Sequence, residues 1–156
     1  THTGRIGLLL KTFPDARFLH FHLNPYRVFQ STQRLYMRGV PVLALQRPAR
    51  GRLVDGILRR YRVMYDSFFE ERELIPQGQY CEVKFEALER DMPGQMERIY
   101  DCLGLGDFGA AERGIRAYAE VAPGYLKNAY QPLPERLKQR IARGWLRSFR
   151  EWGYAT

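Results

Sequence analysis

The chain is poor in cysteine and histidine and has no long apolar run. Only two of its 156 residues are Cys and three are His. Cys81 and Cys102 fall in a strand-like and a helix-like segment without metal-ligand spacing, so we predict reduced thiols in or near the core rather than a disulfide framework. No apolar stretch approaches twenty residues, and no charged segment leads into an apolar one. We therefore expect neither a signal peptide nor a membrane span within these residues.

A glycine-rich loop ending in Lys-Ser or Lys-Thr, the usual cradle for nucleotide phosphates, is also missing. The stretch from Gly4 to Gly7 has no such Lys–Ser/Thr pair and falls where a helix begins, so it is not a phosphate loop. The first helical pattern starts almost at Thr1, and only two strands can be read along the chain. Two strands are few for a covered sheet, and we expect further strands and a phosphate loop upstream of Thr1.

Positive charge is present in excess and is carried mainly by arginine. The formal net charge is +8. The length of the chain and its 45% of hydrophobic residues predict one globular domain spanning residues 1–156. The forked guanidinium of Arg suits phosphate or sulfate recognition, although a solvated surface explains most of these residues equally well. The cationic residues form three clusters: Arg47, Arg50 and Arg52; Arg59, Arg60 and Arg62; and Arg136, Lys138, Arg140, Arg143, Arg147 and Arg150.

Hydrophobic spacing predicts an α/β protein in which two strands are separated by helices. The expected helices cover residues 5–13, 25–38, 53–75, 96–103, 108–121 and 133–152, the expected strands cover 17–23 and 80–85, and residues 40–52 form a long surface connection. Strand 17–23 is apolar on both faces, as in a covered parallel sheet. Its His20 and His22 share one face, and we interpret them as packed or hydrogen-bonded rather than catalytic. The pattern predicts a three-layer fold.

The junction after the first strand is the most informative stretch. Asn24 is a typical helix N-cap and Pro25 a typical first helical residue. The positive end of the helix dipole would then lie at the carboxyl edge of the strand, where phosphate ligands usually bind in α/β proteins. The junction therefore favours a nucleotide ligand, although many such caps bind nothing.

Three segments, in order, resemble the sulfotransferase family that uses 3′-phosphoadenosine 5′-phosphosulfate (PAPS). They are PDARFLHFHLNPYRVFQSTQRLY, ERELIPQGQYCEVKFEALERDMPGQMERIYDCLGL, and GYLKNAY with the basic helix that ends in WGY. The resemblance implies a P-loop-like α/β fold with a parallel sheet, seen here without the loop for the 5′-phosphosulfate. It implies transfer of a sulfuryl group from PAPS to a hydroxyl or amine acceptor, with no metal.

The resemblance also implies where the 3′-phosphate binds. The family pairs an Arg at the strand end with a Ser eight residues later; Ser31 matches the Ser, whereas Leu23 stands in the Arg position. Losing that charged contact would cost roughly 1.5–3 kcal/mol of binding free energy. We predict Asn24, Arg27 and Ser31 as residues of the site, with Arg27 or His22 as candidates to compensate for Leu23.

Other positions take their expected roles from the same resemblance. Phe85 stands where the family has an aromatic residue close to the adenine, and an aromatic face can stack on a base. Lys127 and Asn128 match a late basic loop that closes over the 3′-phosphate. His2 is the candidate base that accepts the acceptor's proton, a role that suits a neutral imidazole. The family's catalytic Lys would lie upstream of Thr1.

Two other functions stay open. A relative that has lost catalysis could keep the fold and bind anions or a partner protein, which would explain Leu23. A nucleic-acid-binding module is a third hypothesis, but the aromatic residues fall at core spacing and no recognised motif is present, so we expect no nucleic-acid partner. The resemblance predicts a bacterial cytoplasmic protein unless a preceding region carries an anchor. The acceptor cannot be read from the sequence.

Overall fold

The structure is a computed structural model that describes residues 2–43, 50–121 and 130–156. Within these residues it contains eight α-helices, two strands and a short 3₁₀ turn, Arg72–Leu74. The helices are α1 (Ile6–Thr12), α2 (Pro25–Leu43), α3 (Arg50–Glu71), α4 (Phe85–Arg90), α5 (Met92–Leu103), α6 (Gly109–Val121), α7 (Glu135–Gly144) and α8 (Leu146–Glu151), and the strands are β1 (Phe18–His22) and β2 (Tyr80–Lys84). The predicted α/β class is confirmed.

The two strands lie side by side and run parallel. Phe18 pairs with Tyr80, His20 with Glu82 and His22 with Lys84. Because side chains alternate along a strand, this register divides the sheet into two faces. The polar face carries Phe18, His20, His22, Tyr80, Glu82 and Lys84, and the apolar face carries Leu19, Phe21, Cys81 and Val83.

A separate core covers each face. The larger core packs on the polar face and is rich in aromatic rings; its buried members are Ile6, Phe29, Ile57, Tyr61, Phe68, Phe69, Ile141, Trp145, Phe149 and Trp152. The smaller core packs α5 on the apolar face of β2 and contains Cys81, Val83, Ile99 and Leu103. Helices therefore lie on both sides of the sheet, which agrees with the predicted three layers.

Helix α2 continues past the predicted stop at Gly39. The residues of positive φ in the described part of the chain are Gly78, Gly104, Gly106 and Gly153, so Gly39 keeps a helical backbone and the helix runs on to Leu43. Helix α3 in turn begins at Arg50, inside the predicted connection. The predicted surface connection 40–52 is therefore wrong at both of its ends, and its middle lies outside the described residues.

The last predicted helix is two helices that meet at Trp145. This residue has φ −120° and ψ 22°, outside the helical range, and ends α7. Its indole is buried, stacks on Tyr61 at 3.7 Å between ring centroids, and donates to the carbonyl oxygen of Leu58 at 3.0 Å. Packing of Trp145 on α3 therefore interrupts a helix that periodicity alone predicts as continuous.

The other predicted elements are confirmed with small shifts. Gly104 ends α5 in the left-handed conformation, as its position after the last apolar residue predicts. Phe85 is the first residue of α4 rather than the last of β2. None of the helices in the described ranges is both long enough and apolar enough to cross a membrane.

Candidate functional site

The candidate site lies where β1 and β2 end, on the same edge of the sheet. Asn24 follows β1 by two residues, and its side-chain oxygen Oδ1 accepts the N–H of Tyr26 at 2.9 Å. Its carbonyl oxygen accepts the N–H groups of Arg27 at 2.9 Å and Val28 at 3.1 Å. Pro25, which is fully buried, occupies the first helical position, where a missing N–H costs nothing. The predicted N-cap of α2 is confirmed.

This cap changes what the helix N-terminus can offer to an anion. The N–H groups of Tyr26, Arg27 and Val28 already donate to Asn24, so they are not free to cradle a phosphate in this conformation. The first turn of α2 contains no acidic residue, and its dipole still favours an anion nearby. An anion here would therefore be bound by side chains and by the helix dipole rather than by these amides.

Arg27 and Ser31 lie one turn apart on α2, and both are exposed. The guanidinium of Arg27 lies 5.8 Å from the ring centroid of Tyr130. Gln30 donates from Nε2 to the carbonyl oxygen of Gln131 at 2.8 Å. The segment that begins at Tyr130 therefore packs beside the helix turn that carries the predicted phosphate ligands.

Glu86 connects this turn to β2 and to the C-terminal segment. Its Oε1 accepts the N–H of Asn24 at 3.0 Å, and its Oε2 accepts the hydroxyl of Tyr154 at 2.8 Å. Burial alone would raise the pKa of Glu86, but these hydrogen bonds outweigh it and hold the pKa below its usual value. The carboxylate is therefore charged at neutral pH and accepts with both oxygens.

Tyr154 also contacts the last residue of each strand. The Nδ1 atom of His22 lies 3.2 Å from the Tyr154 hydroxyl oxygen, and the Lys84 ammonium lies 4.4 Å from the centroid of the Tyr154 ring. Since the Tyr154 proton goes to Glu86, its oxygen accepts from His22 Nδ1–H. Burial lowers the pKa of His22. Burial, and to a lesser extent the hydrogen bond to Glu86, raises the pKa of Tyr154, so both side chains are neutral near pH 7.

A second carboxylate, Glu82, organises the middle of the polar face. Its Oε1 lies within 3.0 Å of three groups: His20 Nδ1, the Tyr80 hydroxyl and the Trp152 indole nitrogen. Burial would raise the pKa of Glu82, but these hydrogen bonds outweigh it and lower the pKa to about 2. The interpretation of His20 and His22 as packed, hydrogen-bonded residues is confirmed, since both also contact the Trp152 ring.

Phe85 lies at the same edge of the sheet, immediately after β2. Its side chain is 39% exposed although it is a large apolar group, and it begins α4 next to Glu86. An exposed aromatic ring at the carboxyl edge of a parallel sheet is available to a planar ligand. Leu23, half-buried at the end of β1, brings no charge to this edge.

Of the remaining predicted site residues, His2 is not brought into this group. His2 is exposed before α1, and its carbonyl oxygen accepts the N–H of Arg5 at 3.0 Å. Within the described part of the chain, its imidazole makes no hydrogen bond to the strand ends. Lys127 and Asn128 lie outside the described residues. Across the same described residues, no three His, Cys, Asp or Glu side chains are grouped so that they could hold a metal ion.

Sequence reasoning missed the roles of Glu82 and Tyr154. Tyr154 is 68 residues from Glu86, and no local spacing connects them. A weak signal was present for Glu82, because polar residues recur at alternate positions in both strands. Two polar faces in adjacent parallel strands indicate side chains that bond to one another.

Comparison with known proteins identifies the family. The family model described as "Sulfotransferase family" matches residues 1–108. The chain belongs to the sulfotransferase family. It is 37% identical over 131 residues to the omega-hydroxy-beta-dihydromenaquinone-9 sulfotransferases Stf3 of Mycobacterium bovis and Mycobacterium tuberculosis, a match that covers 84% of this chain and 34% of each relative.

A solved structure shows the same fold. The crystal structure of sulfotransferase STF9 from Mycobacterium avium superposes with a TM-score of 0.80 at 19% identity, over 99% of this chain and 40% of that chain. At this identity the likeness concerns the fold alone. The chain spans about a third of the length of the curated Stf3 relatives it matches.

Proposed function

We propose that this chain forms the 3′-phosphate and adenine side of an enzyme that transfers a sulfuryl group from PAPS to a hydroxyl acceptor. The observation that carries the proposal is the meeting of the capped α2 terminus and the exposed Phe85 ring at one edge of the sheet, joined by the bond from Asn24 to Glu86. The family membership of the chain supports the reaction class.

The residues present fit a phosphate dianion. Arg27 and Ser31 offer a guanidinium and a hydroxyl on exposed positions one turn apart, and the first turn of α2 has no carboxylate to repel the anion. Lys127 and Asn128 would add donors from the late loop, and Phe85 would stack on the adenine. Asn24 would act by capping and placing the helix, because its carbonyl oxygen and Oδ1 are already used.

PAPS supplies an activated sulfuryl group, whose bond to the 5′-phosphate breaks as the bond to the acceptor oxygen forms. Within this chain, His2 would accept the proton that leaves the acceptor hydroxyl. Its exposed position before α1 leaves the imidazole accessible. Arg27 and Ser31 would hold the nucleotide so that the reacting groups stay aligned.

The choice of a hydroxyl over an amine acceptor rests on the relatives. The Stf3 proteins are named for an omega-hydroxylated dihydromenaquinone, an alcohol on a long apolar chain. We propose an alcohol of similar lipid character for the full-length protein.

Leu23 favours a second candidate, a relative that keeps the fold without the cofactor. Adenosine 3′,5′-bisphosphate, the product of the reaction, separates the two. If the nucleotide binds the full-length gene product, it should raise the melting temperature, since a ligand at about 100 times its Kd adds about 2.7 kcal/mol to the free energy of unfolding. An unchanged melting temperature at millimolar nucleotide would contradict the enzyme proposal.

Leu23→Arg sharpens this test. Restoring the charged contact should tighten nucleotide binding by about tenfold or more. Leu35→Arg is the matched control, because Leu35 is 70% exposed on α2 and the variant adds the same charge away from the strand end. Equal effects of the two variants would show that only net charge matters, as in a scaffold without a specific site.

A further inference from the structure

We propose that Glu86 and Tyr154 are positioning residues that set how tightly the chain holds a 3′-phosphate. Together with Asn24 they form the Glu86 tie, in which one carboxylate bonds the turn after β1 and the C-terminal segment. This inference rests on the proposed function, because it concerns the same nucleotide site. Neither residue would touch the ligand.

The geometry of the Glu86 tie joins three distant parts of the chain at the edge of the sheet. Asn24 and Tyr154 are 62 and 68 residues from Glu86, and their bonds to it measure 3.0 Å and 2.8 Å. Asn24 is also the cap of α2, so its backbone cannot shift without moving the turn that carries Arg27. Beyond the last paired residues of the strands, His22 and Lys84, the Glu86 carboxylate therefore ties the start of α2 to the end of β2.

Tyr154 is itself held in place by the end of α8. Gly153 has a φ of 64°, a conformation that favours glycine, and its N–H donates to the carbonyl oxygen of Arg150 at 3.3 Å. The N–H of Tyr154 donates to the carbonyl oxygen of Phe149 at 2.9 Å. This pair of bonds is the Schellman motif, and it turns the chain so that the Tyr154 ring reaches the strand ends.

Two residues from the strand ends surround Tyr154. The Lys84 ammonium lies against the Tyr154 ring, and His22 Nδ1 lies 3.2 Å from the Tyr154 oxygen, whose hydroxyl donates to Glu86. Both oxygens of Glu86 accept hydrogen bonds, from Asn24 and from Tyr154, and the nearby Lys84 ammonium partly offsets the negative charge of the carboxylate.

The test compares two nucleotides by calorimetric titration of the full-length gene product. Adenosine 3′,5′-bisphosphate uses the first turns of α2, whereas adenosine 5′-monophosphate has no 3′-phosphate. Glu86→Ala should reduce the preference for the bisphosphate by about tenfold and Tyr154→Phe by about threefold, because charge-assisted hydrogen bonds that fix α2 are lost. Binding of the monophosphate should change little.

Glu97→Ala and Tyr118→Phe are the matched controls. Both residues are exposed, on α5 and α6 respectively, and their replacement should leave the preference unchanged. A purely structural role for the Glu86 tie would lower the melting temperature and weaken both nucleotides alike. That result, or an unchanged preference in Tyr154→Phe, would overturn the inference. If the unmodified protein binds neither nucleotide, the proposed function fails, and the inference fails with it.

Discussion

The two faces of the sheet are held by different forces. On the polar face, Glu82 gathers three hydrogen-bond donors, and aromatic rings enclose the group. On the apolar face, Val83 and Cys81 pack against Ile99 and Leu103 of α5. Helix α5 adds two hydrogen bonds to the backbone of β2, from Cys102 Sγ to the carbonyl oxygen of Tyr80 at 3.3 Å and from Arg98 to that of Glu82 at 2.6 Å. The face whose side chains are joined by hydrogen bonds continues to the strand ends, where Glu86 and Tyr154 lie. The candidate site therefore continues the polar side chains around Glu82 and is not enclosed by the apolar core.

The two faces also differ in how far they are covered. Leu19 and Phe21 of β1 are 39% and 40% exposed, whereas Cys81 and Val83 of β2 are buried. Helix α5 therefore covers only one strand of the apolar face. On β1 the histidines are better enclosed than the apolar residues, which reverses the usual order, whereas on β2 the apolar residues are the buried ones.

The largest effect should come from removing the acceptor on the polar face. Glu82→Leu leaves the Tyr80 hydroxyl, the Trp152 indole and His20 without their partner, and should lower the free energy of unfolding by about 3–5 kcal/mol. Urea unfolding measures this change. Glu97→Leu, on an exposed position, is the control and should cost less than about 0.5 kcal/mol. A loss below 1 kcal/mol at Glu82 would remove the distinction between the faces.

On the apolar face, Ile99→Ala should cost about 3 kcal/mol, because it opens a cavity beside Val83. The loss should be the same at pH 7 and pH 4, since no charge is involved. Leu105→Ala, at a position that is 42% exposed, should cost clearly less. If the Ile99 effect changed strongly with pH, this face would also depend on titrating groups.

Acid should weaken the polar face selectively. The pKa of Glu82 is about 2 in the folded protein against 4.5 for the free side chain, so its contribution is complete above pH 4.5 and is lost as the pH falls toward 2. The difference in unfolding free energy between the native sequence and Glu82→Gln should therefore shrink over that range. A difference that stays constant from pH 5 to pH 2 would contradict the assigned pKa.

The smallest effect is expected where the apolar face is open. Leu19→Ala should cost less than about 1 kcal/mol, because a side chain already 39% exposed has less area to lose. Urea unfolding of the full-length gene product is again the measurement. A cost above 2 kcal/mol would mean that β1 is covered there by residues beyond those described.

Much of the fold could be predicted from the sequence, because its signals are local. The Asn24–Pro25 cap, the stop at Gly104 and the apolar run of β1 each act within a few residues. The break at Trp145 could not be predicted, since it follows from packing on Tyr61, which lies 84 positions earlier in the chain. Helix α2 continues past Gly39 because this glycine does not adopt the positive φ with which a glycine commonly ends a helix.

The candidate site could be predicted in part. The turn at Asn24 and the position of Phe85 followed from local patterns and from the family resemblance. The roles of Glu86 and Tyr154 depend on a C-terminal segment that returns to the strand ends, and periodicity does not describe such a return. The positions of His2, Arg27 and Ser31 relative to a nucleotide stay predictions.

The most direct measurement is a crystal structure of the full-length gene product with adenosine 3′,5′-bisphosphate. We predict that the 3′-phosphate lies within hydrogen-bond reach, about 3 Å, of Ser31 Oγ and of the Arg27 guanidinium, with the adenine against Phe85. A nucleotide bound elsewhere, with the first turns of α2 facing only solvent or protein, would contradict it.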